Sequence, residues 1–190
     1  MEKSFWPEVR VAAECMQESG IILYPTDTIW GLGCNANDEQ AIAKIFRLKQ
    51  RENSKSLIIL IAEPKDIFQY VADPPPDIID IIKSFEDPTT IIYQGAIHLP
   101  DSLIHVDGTI AIRVTKDPFC KALIKKMQSP LVSTSANISG HPSPVNFGHV
   151  ESEIKEGVDY IVNYRQDEES NPLPSRILKF DDQGQLIRIR

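Results

Sequence analysis

Cysteine is scarce in this chain: Cys15, Cys34 and Cys120 are odd in number, far apart and without a CxxC pair. That usage excludes a disulfide framework or a zinc knuckle, and it suits buried thiols in a reducing compartment. No apolar run is long enough to span a bilayer, and the opening MEKSFWPEVR lacks the pattern of a secretion signal. These absences predict a cytoplasmic protein without membrane contact. Catalytic signatures are missing too. No GxxxxGK(S/T) loop and no GxSxG elbow occur, and His98, His105, His141 and His149 form no HxxxH or HExxH pattern. Each histidine therefore reads as a surface or packing residue, and no metal site is expected. Gly31-Leu32-Gly33 opens like a dinucleotide fingerprint, but Ala36 stands where the third glycine belongs. Positive charge is also short. A net charge of −7 disfavours non-specific binding to nucleic acid, so any anion site has to be a local basic patch.

What is present is ordinary globular material: 190 residues, 42% hydrophobic and 25% charged. A chain of this size buries about 70% of its unfolded surface and needs no staples. Apolar periodicity predicts a helix over 7–19 with Gly20 as its C-terminal cap, a helix over 38–49 capped by Asn37 or Asp38, and a helix over 117–127 with Asp117 as cap and Pro118 in its first turn. Two short helices are expected in 64–85, broken at DPPP, and a weaker one in 147–157. Strands are expected at IILY (21–24), SLIILIA (56–62), TTIIY (89–93), GTIAIRV (108–114), PLVSTSA (130–136) and DYIVNY (159–164), with a terminal hairpin turning at DDQG. The segment RQDEESNPLP reads as a loop. The expected architecture is a single α/β domain, 1–190, with a twisted, mostly mixed sheet flanked by helices.

Three segments carry chemistry. RLKQRENSK (47–55) concentrates Arg47, Lys49, Arg51 and Lys55 against one acid. On an extended segment Lys49 and Arg51 share a face and could converge on a polyphosphate, as a point charge beside a fork. A solvated helix end whose cations suit the C-terminal dipole is the other reading, and spacing alone favours it. LVSTSANISGHPSP (131–144) crowds Ser133, Thr134, Ser135, Asn137, Ser139 and Ser143 after an apolar strand. Such groups suit ribose, phosphate or carboxylate, although they are turn residues as well. ILYPTDTIWGLGC (22–34) sets Thr26, Asp27 and Thr28 at a strand's mouth, before Trp30 and two glycines expected to turn the chain away. Trp30 reads as core packing.

YPTDTIWGLG, then KQR, then GTIAIRV, then STSANISGHPSP, in this order and spacing, resemble the YrdC-type threonylcarbamoyl-AMP synthase family over most of the chain, from about Ile21 to the final hairpin. The chain resembles the short members, without an extra C-terminal domain. The resemblance implies a YrdC-like fold with a concave, locally positive cavity. It implies an enzyme that uses L-threonine, bicarbonate and ATP, with Mg2+ carried by the ATP, to make threonylcarbamoyl-adenylate and pyrophosphate. A partner transferase complex would then modify tRNA, with weak tRNA contact by this chain. The family's KxR motif falls on Lys49 and Arg51, and its SxN motif on Ser135 and Asn137, implying catalytic and nucleotide contacts. Thr28, Arg113 and Ser175 align with the threonine side. Lys55, Thr109, Ser133, Ser143 and Arg188 align with the nucleotide side, with Arg190 as the alternative register for Arg188. The sequence departs from the family where RENSKSL replaces the usual RPxxNPL, so that Lys55 replaces an asparagine and Ser56 a proline. It departs again at Leu60, where longer members place a histidine, and after the last arginine, where a common glycine is missing. A non-catalytic RNA-binding module, or a paralogue with the same cavity and another substrate, are the alternatives.

Overall fold

The computed structural model describes residues 4–51, 57–169 and 173–190. In chain order the elements are α1 (Trp6–Gln17), β1 (Ile22–Tyr24), β2 (Gly31–Asn35), α2 (Glu39–Leu48), β3 (Ile58–Ile61), a 3-10 segment Pro64–Gln69, α3 (Ile78–Ser84), β4 (Thr89–Gln94), β5 (Thr109–Val114), α4 (Pro118–Met127), β6 (Leu131–Ser135), α5 (Ser152–Gly157), β7 (Tyr160–Ile161), β8 (Arg176–Phe180) and β9 (Leu186–Arg188). Aspartates start the two strongest helices. Asp38 accepts hydrogen bonds from the Gln40 and Ala41 amides, and Asp117 from the Cys120 amide, so each satisfies N–H groups that the first turn leaves free.

The strands form one mixed sheet in the order β7-β1-β2-β6-β3-β5-β4-β8-β9. Parallel pairs occur at β1–β7, β3–β5 and β4–β8, and the others are antiparallel. One face carries α1 and α4, with Val9, Ala13, Met16, Phe119 and Leu123 packed on Tyr24, Leu60 and Leu131. The other carries α2, the 3-10 segment and α3, with Ile42, Ile45, Phe46, Ile67 and Ile78 packed on Ile59, Ile91, Ile112 and Val132. Trp30 is a core residue, as its sequence context suggests, in a cluster with Leu23, Leu32 and Ile154.

The structure corrects several expectations. Ser19, not Gly20, takes the left-handed turn after α1 (φ 59°). Gly20 is needed for space instead, because a Cβ there would lie 2.4 Å from Cys15 Sγ. The 147–157 helix is a 3-10 turn, Phe147–His149, followed by α5, with an extended Val150 between them. Cys34 and Cys120 are buried, but Cys15 is only half-buried.

The largest correction is at Gly31 and Gly33, which do not turn the chain away; they lie within β2 between β1 and β6. The Tyr24 ring crosses over β2 on its way to β6. A Cβ on Gly33 would sit 2.6 Å from Tyr24 Cε1 and 2.7 Å from the Val132 carbonyl oxygen. Backbone on one side and a fully buried ring on the other leave nothing to yield. Gly33→Ala is therefore expected to destabilise the fold by about 1–3 kcal/mol, as overpacking does, which lowers the melting temperature by about 2–4 °C per kcal/mol in a chain of this size. Calorimetric melting checks it; an unchanged transition would mean that Tyr24 can leave β2.

Candidate active site

On the α1/α4 face, beyond the ends of those helices, the sheet is left open. It forms a cavity of about 270 Å³ there, floored by Gly31, Ile58, Ile92 and Ala111 and lined by Thr28, Arg51, Arg113, Ser133, Thr134, Ser135, Ser143, Ser175 and Arg190 among others. Strand periodicity selects these residues. Ala111 and Arg113 of β5 face the cavity, while Ile110 and Ile112 enter the opposite core.

Lys49 and Arg51 are separated by the way α2 ends. Lys49 is the C-cap and Gln50 adopts a left-handed conformation (φ 48°). The Gln50 amide donates to the Arg47 carbonyl and the Arg51 amide to the Phe46 carbonyl. This is a Schellman ending with glutamine where glycine is usual. Arg51 is thereby sent into the cavity wall, while Lys49 turns inward and is 1% exposed. Lys49 Nζ donates to the carbonyls of Ser135 and Asn137, and the Lys49 carbonyl accepts from the Ser139 amide. The end of α2 and the exit of β6 are thus fastened together under the cavity. An ammonium has three protons, and two are spent on these carbonyls. Burial, and secondarily the Arg51 guanidinium, lower the Lys49 pKa to about 8.

The Thr26–Thr28 segment has a closed proton arrangement. Thr26 Oγ1 donates to the Ile29 carbonyl (2.8 Å) and accepts from the Thr28 amide (2.9 Å). Its one proton is therefore used, so the 2.9 Å contact between the two hydroxyls has Thr28 as donor. Arg113 Nη1 in turn donates to Thr28 Oγ1 (3.2 Å). Asp27 does not line the cavity but braces it. Its Oδ1 lies 3.1 Å from Arg113 Nη2, and its Oδ2 accepts from the Lys116 amide (3.1 Å). Arg113 is 4% exposed and its Nε has no hydrogen-bond partner among the described residues. A buried guanidinium that is held on one edge and unsatisfied elsewhere suits a carboxylate. Across the cavity Ser175 Oγ lies 2.9 Å from Thr90 Oγ1, and the Ser175 carbonyl accepts from Arg190 Nη2 (3.2 Å).

Of the residues singled out in the sequence, Thr28, Arg51, Arg113, Ser133, Ser135, Ser143 and Ser175 meet in this cavity. Lys49 and Asn137 lie behind the wall. The Asn137 amide donates to the Ile138 and His141 carbonyls, and its Oδ1 is buried without a partner among the described residues. Thr109 is not part of the lining; it starts β5, four residues from Arg113, and its hydroxyl is spent on Asp107 Oδ1. Arg188 is in the wrong place. It pairs with Leu178, whose side chain packs on the α2/α3 side, so Arg188 points away from the cavity and Arg190 supplies the guanidinium. Lys55 and Ser56 lie outside the described residues. Leu60 is core, paired with Arg113 across β3–β5. Sequence reading missed Thr90 and the bracing role of Asp27; an acid between two threonines, one strand-end away from a buried arginine, was the available signal.

A sequence model of the Sua5/YciO/YrdC family, described as "Telomere recombination", matches residues 14–189. A threonylcarbamoyl-AMP synthase of Pseudoalteromonas translucida is 34% identical over 158 residues, covering 82% of this chain and 84% of that protein. One from Halorhodospira halophila is 31% identical, covering 88% of each. The crystal structure of P. abyssi Sua5 complexed with L-threonine superimposes with a TM-score of 0.86 at 27% identity, over 98% of this chain. This chain spans about half, 54%, of that one.

Proposed function

The chain belongs to the Sua5/YciO/YrdC family, and on that premise we propose that it is an L-threonylcarbamoyladenylate synthase, making threonylcarbamoyl-AMP and pyrophosphate from L-threonine, bicarbonate and ATP for tRNA modification. The observation that carries the reading is the lining itself. Three guanidinium groups, Arg51, Arg113 and Arg190, ring a small cavity otherwise walled by hydroxyls and aliphatic groups, in a chain of net charge −7. About 270 Å³ suits an amino acid and phosphate groups, with the nucleoside extending through the mouth.

In this mechanism Arg113, oriented by Asp27, forks the threonine carboxylate, and the Thr28 hydroxyl sets its position. The threonine amine adds to carbon dioxide with loss of a proton, or to bicarbonate with loss of water, to give N-carboxythreonine. The new carboxylate attacks the α-phosphorus of ATP and pyrophosphate leaves. Arg51 stabilises charge on the phosphates, Lys49 adds its charge from behind the wall while holding the Ser135 and Asn137 carbonyls, and Ser133, Ser135 and Ser143 donate to phosphate or ribose oxygens. Catalysis is then positioning and fixed charge. Among the described residues no group of three His, Cys, Asp or Glu could hold a metal ion, and Asp27 is already committed to Arg113 and Lys116. Magnesium, which neutralises polyphosphate charge, would accordingly arrive on the ATP and keep its waters.

Pyrophosphate release is expected to require threonine and bicarbonate together and to proceed without tRNA. The check omits each substrate in turn, alongside a tRNA titration at two salt concentrations. Tight, salt-resistant tRNA binding with no pyrophosphate release would make the chain an RNA-binding module instead.

A further inference from the structure

Strands β4 and β5 carry a second cavity on their other face. It measures about 230 Å³ and shares no lining residue with the first. Alternation along the strands divides the two: Ile92, Ala111 and Arg113 face one, and Ile91, Tyr93, Ile112 and Val114 the other. The outer wall is the end of α3 and the segment after it, Ile82 and Phe85, latched by Lys116 Nζ, which donates to the Phe85 and Glu86 carbonyls at 2.7 and 2.9 Å.

Two observations give this cavity a chemical preference. Its body is apolar, yet Tyr93, 3% exposed, brings a hydroxyl with no hydrogen-bond partner among the described residues. Burial pushes that phenol's pKa up, so it stays a donor. At the rim stand Lys83, Lys116 and Lys121, and the side chains of Lys83 and Lys121 make no hydrogen bond or ion pair with any described residue. The one lining carboxylate, Asp87, faces Arg176 at 3.7 Å. An apolar cavity of about 150 Å³ accommodates a benzene ring, so an aryl group fits here with room for a short polar arm.

We infer that this is a second small-molecule site, selective for an aryl carboxylate, with the ring between Phe85, Tyr93 and the β4–β5 aliphatics and the carboxylate among Lys83, Lys116 and Lys121. The inference does not rest on the proposed synthase activity.

Phenylacetate and its neutral analogue phenylacetamide are the probes, titrated calorimetrically into the full chain. Phenylacetate is expected to bind at least tenfold more tightly than the amide. A Lys83→Glu/Lys121→Glu variant should bring the acid down to the amide's affinity, and Ile91→Trp should abolish binding of both. L-Threonine at saturation should leave phenylacetate binding unchanged. Melting curves check that each variant folds, and the rim variant keeps the test decisive should Ile91→Trp fail to fold. Equal affinity for acid and amide, no binding of either, indifference to the rim variant, or displacement by threonine would each overturn the site.

Discussion

Arg51→Ala and Lys49→Met are each expected to lower the rate of pyrophosphate release about 100-fold, the usual cost of removing one fixed charge contact to a transition state. The two should differ in every other respect. Arg51 stands in the cavity wall, half-exposed, and its loss removes a positive charge from the lining. Lys49 holds the Ser135 and Asn137 carbonyls, so its loss leaves two buried acceptors short of a donor and lowers stability as well. The pH profile separates them further. The Lys49 pKa is lowered to about 8, first by burial and then by Arg51. The protonated form is the one that holds the Ser135 and Asn137 carbonyls and sets a positive charge behind the wall, so on the proposed reading kcat/KM for ATP should fall about tenfold per pH unit above that value. The Met variant should lack this limb, and the Arg51 variant should shift it upward. The stability sign follows. The folded state holds fewer protons than the unfolded between about 8 and 10.5, so the cost of burying this ammonium is present at neutral pH and is relieved as pH rises through that window. Wild-type rates in a folded Arg51→Ala protein would remove Arg51 from the reaction, and a flat ATP profile would remove Lys49.

Arg113→Ala is expected to raise the threonine concentration for half-maximal rate about 100-fold while changing the ATP requirement little. Truncating one member of a buried charge-assisted pair costs roughly 2–5 kcal/mol, and 1.4 kcal/mol is tenfold. Arg113→Lys keeps the charge but loses the fork, and should recover only part of the loss. Asp27→Asn leaves Arg113 in place but removes its partner at 3.1 Å, so it should raise the threonine requirement by about tenfold without abolishing turnover. Threonine and ATP titrations on the three variants test the division. An unchanged threonine dependence beside a raised ATP dependence would reverse it.

Much of this was readable from the sequence. Helices α2 and α4 announce themselves through Asp38 and Asp117 followed by apolar residues at helical spacing, and most of the sheet is visible as short β-branched runs. Strand β2 was not. Its Gly-Leu-Gly has low strand propensity and looks like a turn, because the reason for Gly33 is a ring and a carbonyl from two other strands. The same kind of distance hid the relation of Lys49 to Arg51. Two residues of separation suggested either a shared face or a solvated helix end, whereas a left-handed Gln50 sends one residue into the wall and the other beneath it. The sequence leaves Arg188 and Arg190 open as alternatives, because the end of the β8–β9 pairing is not visible in it; Arg190, two positions on, leaves that regular pairing and reaches Ser175.

The order of strands in the sheet bears on when the cavity comes into existence. Its lining is drawn from positions 28, 51, 113, 133–135, 175 and 190, and β4 finds its parallel neighbour β8 some 85 residues later in the chain. No hairpin or local unit holds more than a fragment of the ligand contacts. During folding the nonlocal pairings must close first, a slow step for a topology of this kind. On the proposed reading, nucleotide and threonine can therefore act only on molecules in which residues 175–190 have already docked. Ligands should accordingly leave the folding rate unchanged and slow global unfolding, turning occupancy into kinetic persistence of the whole sheet.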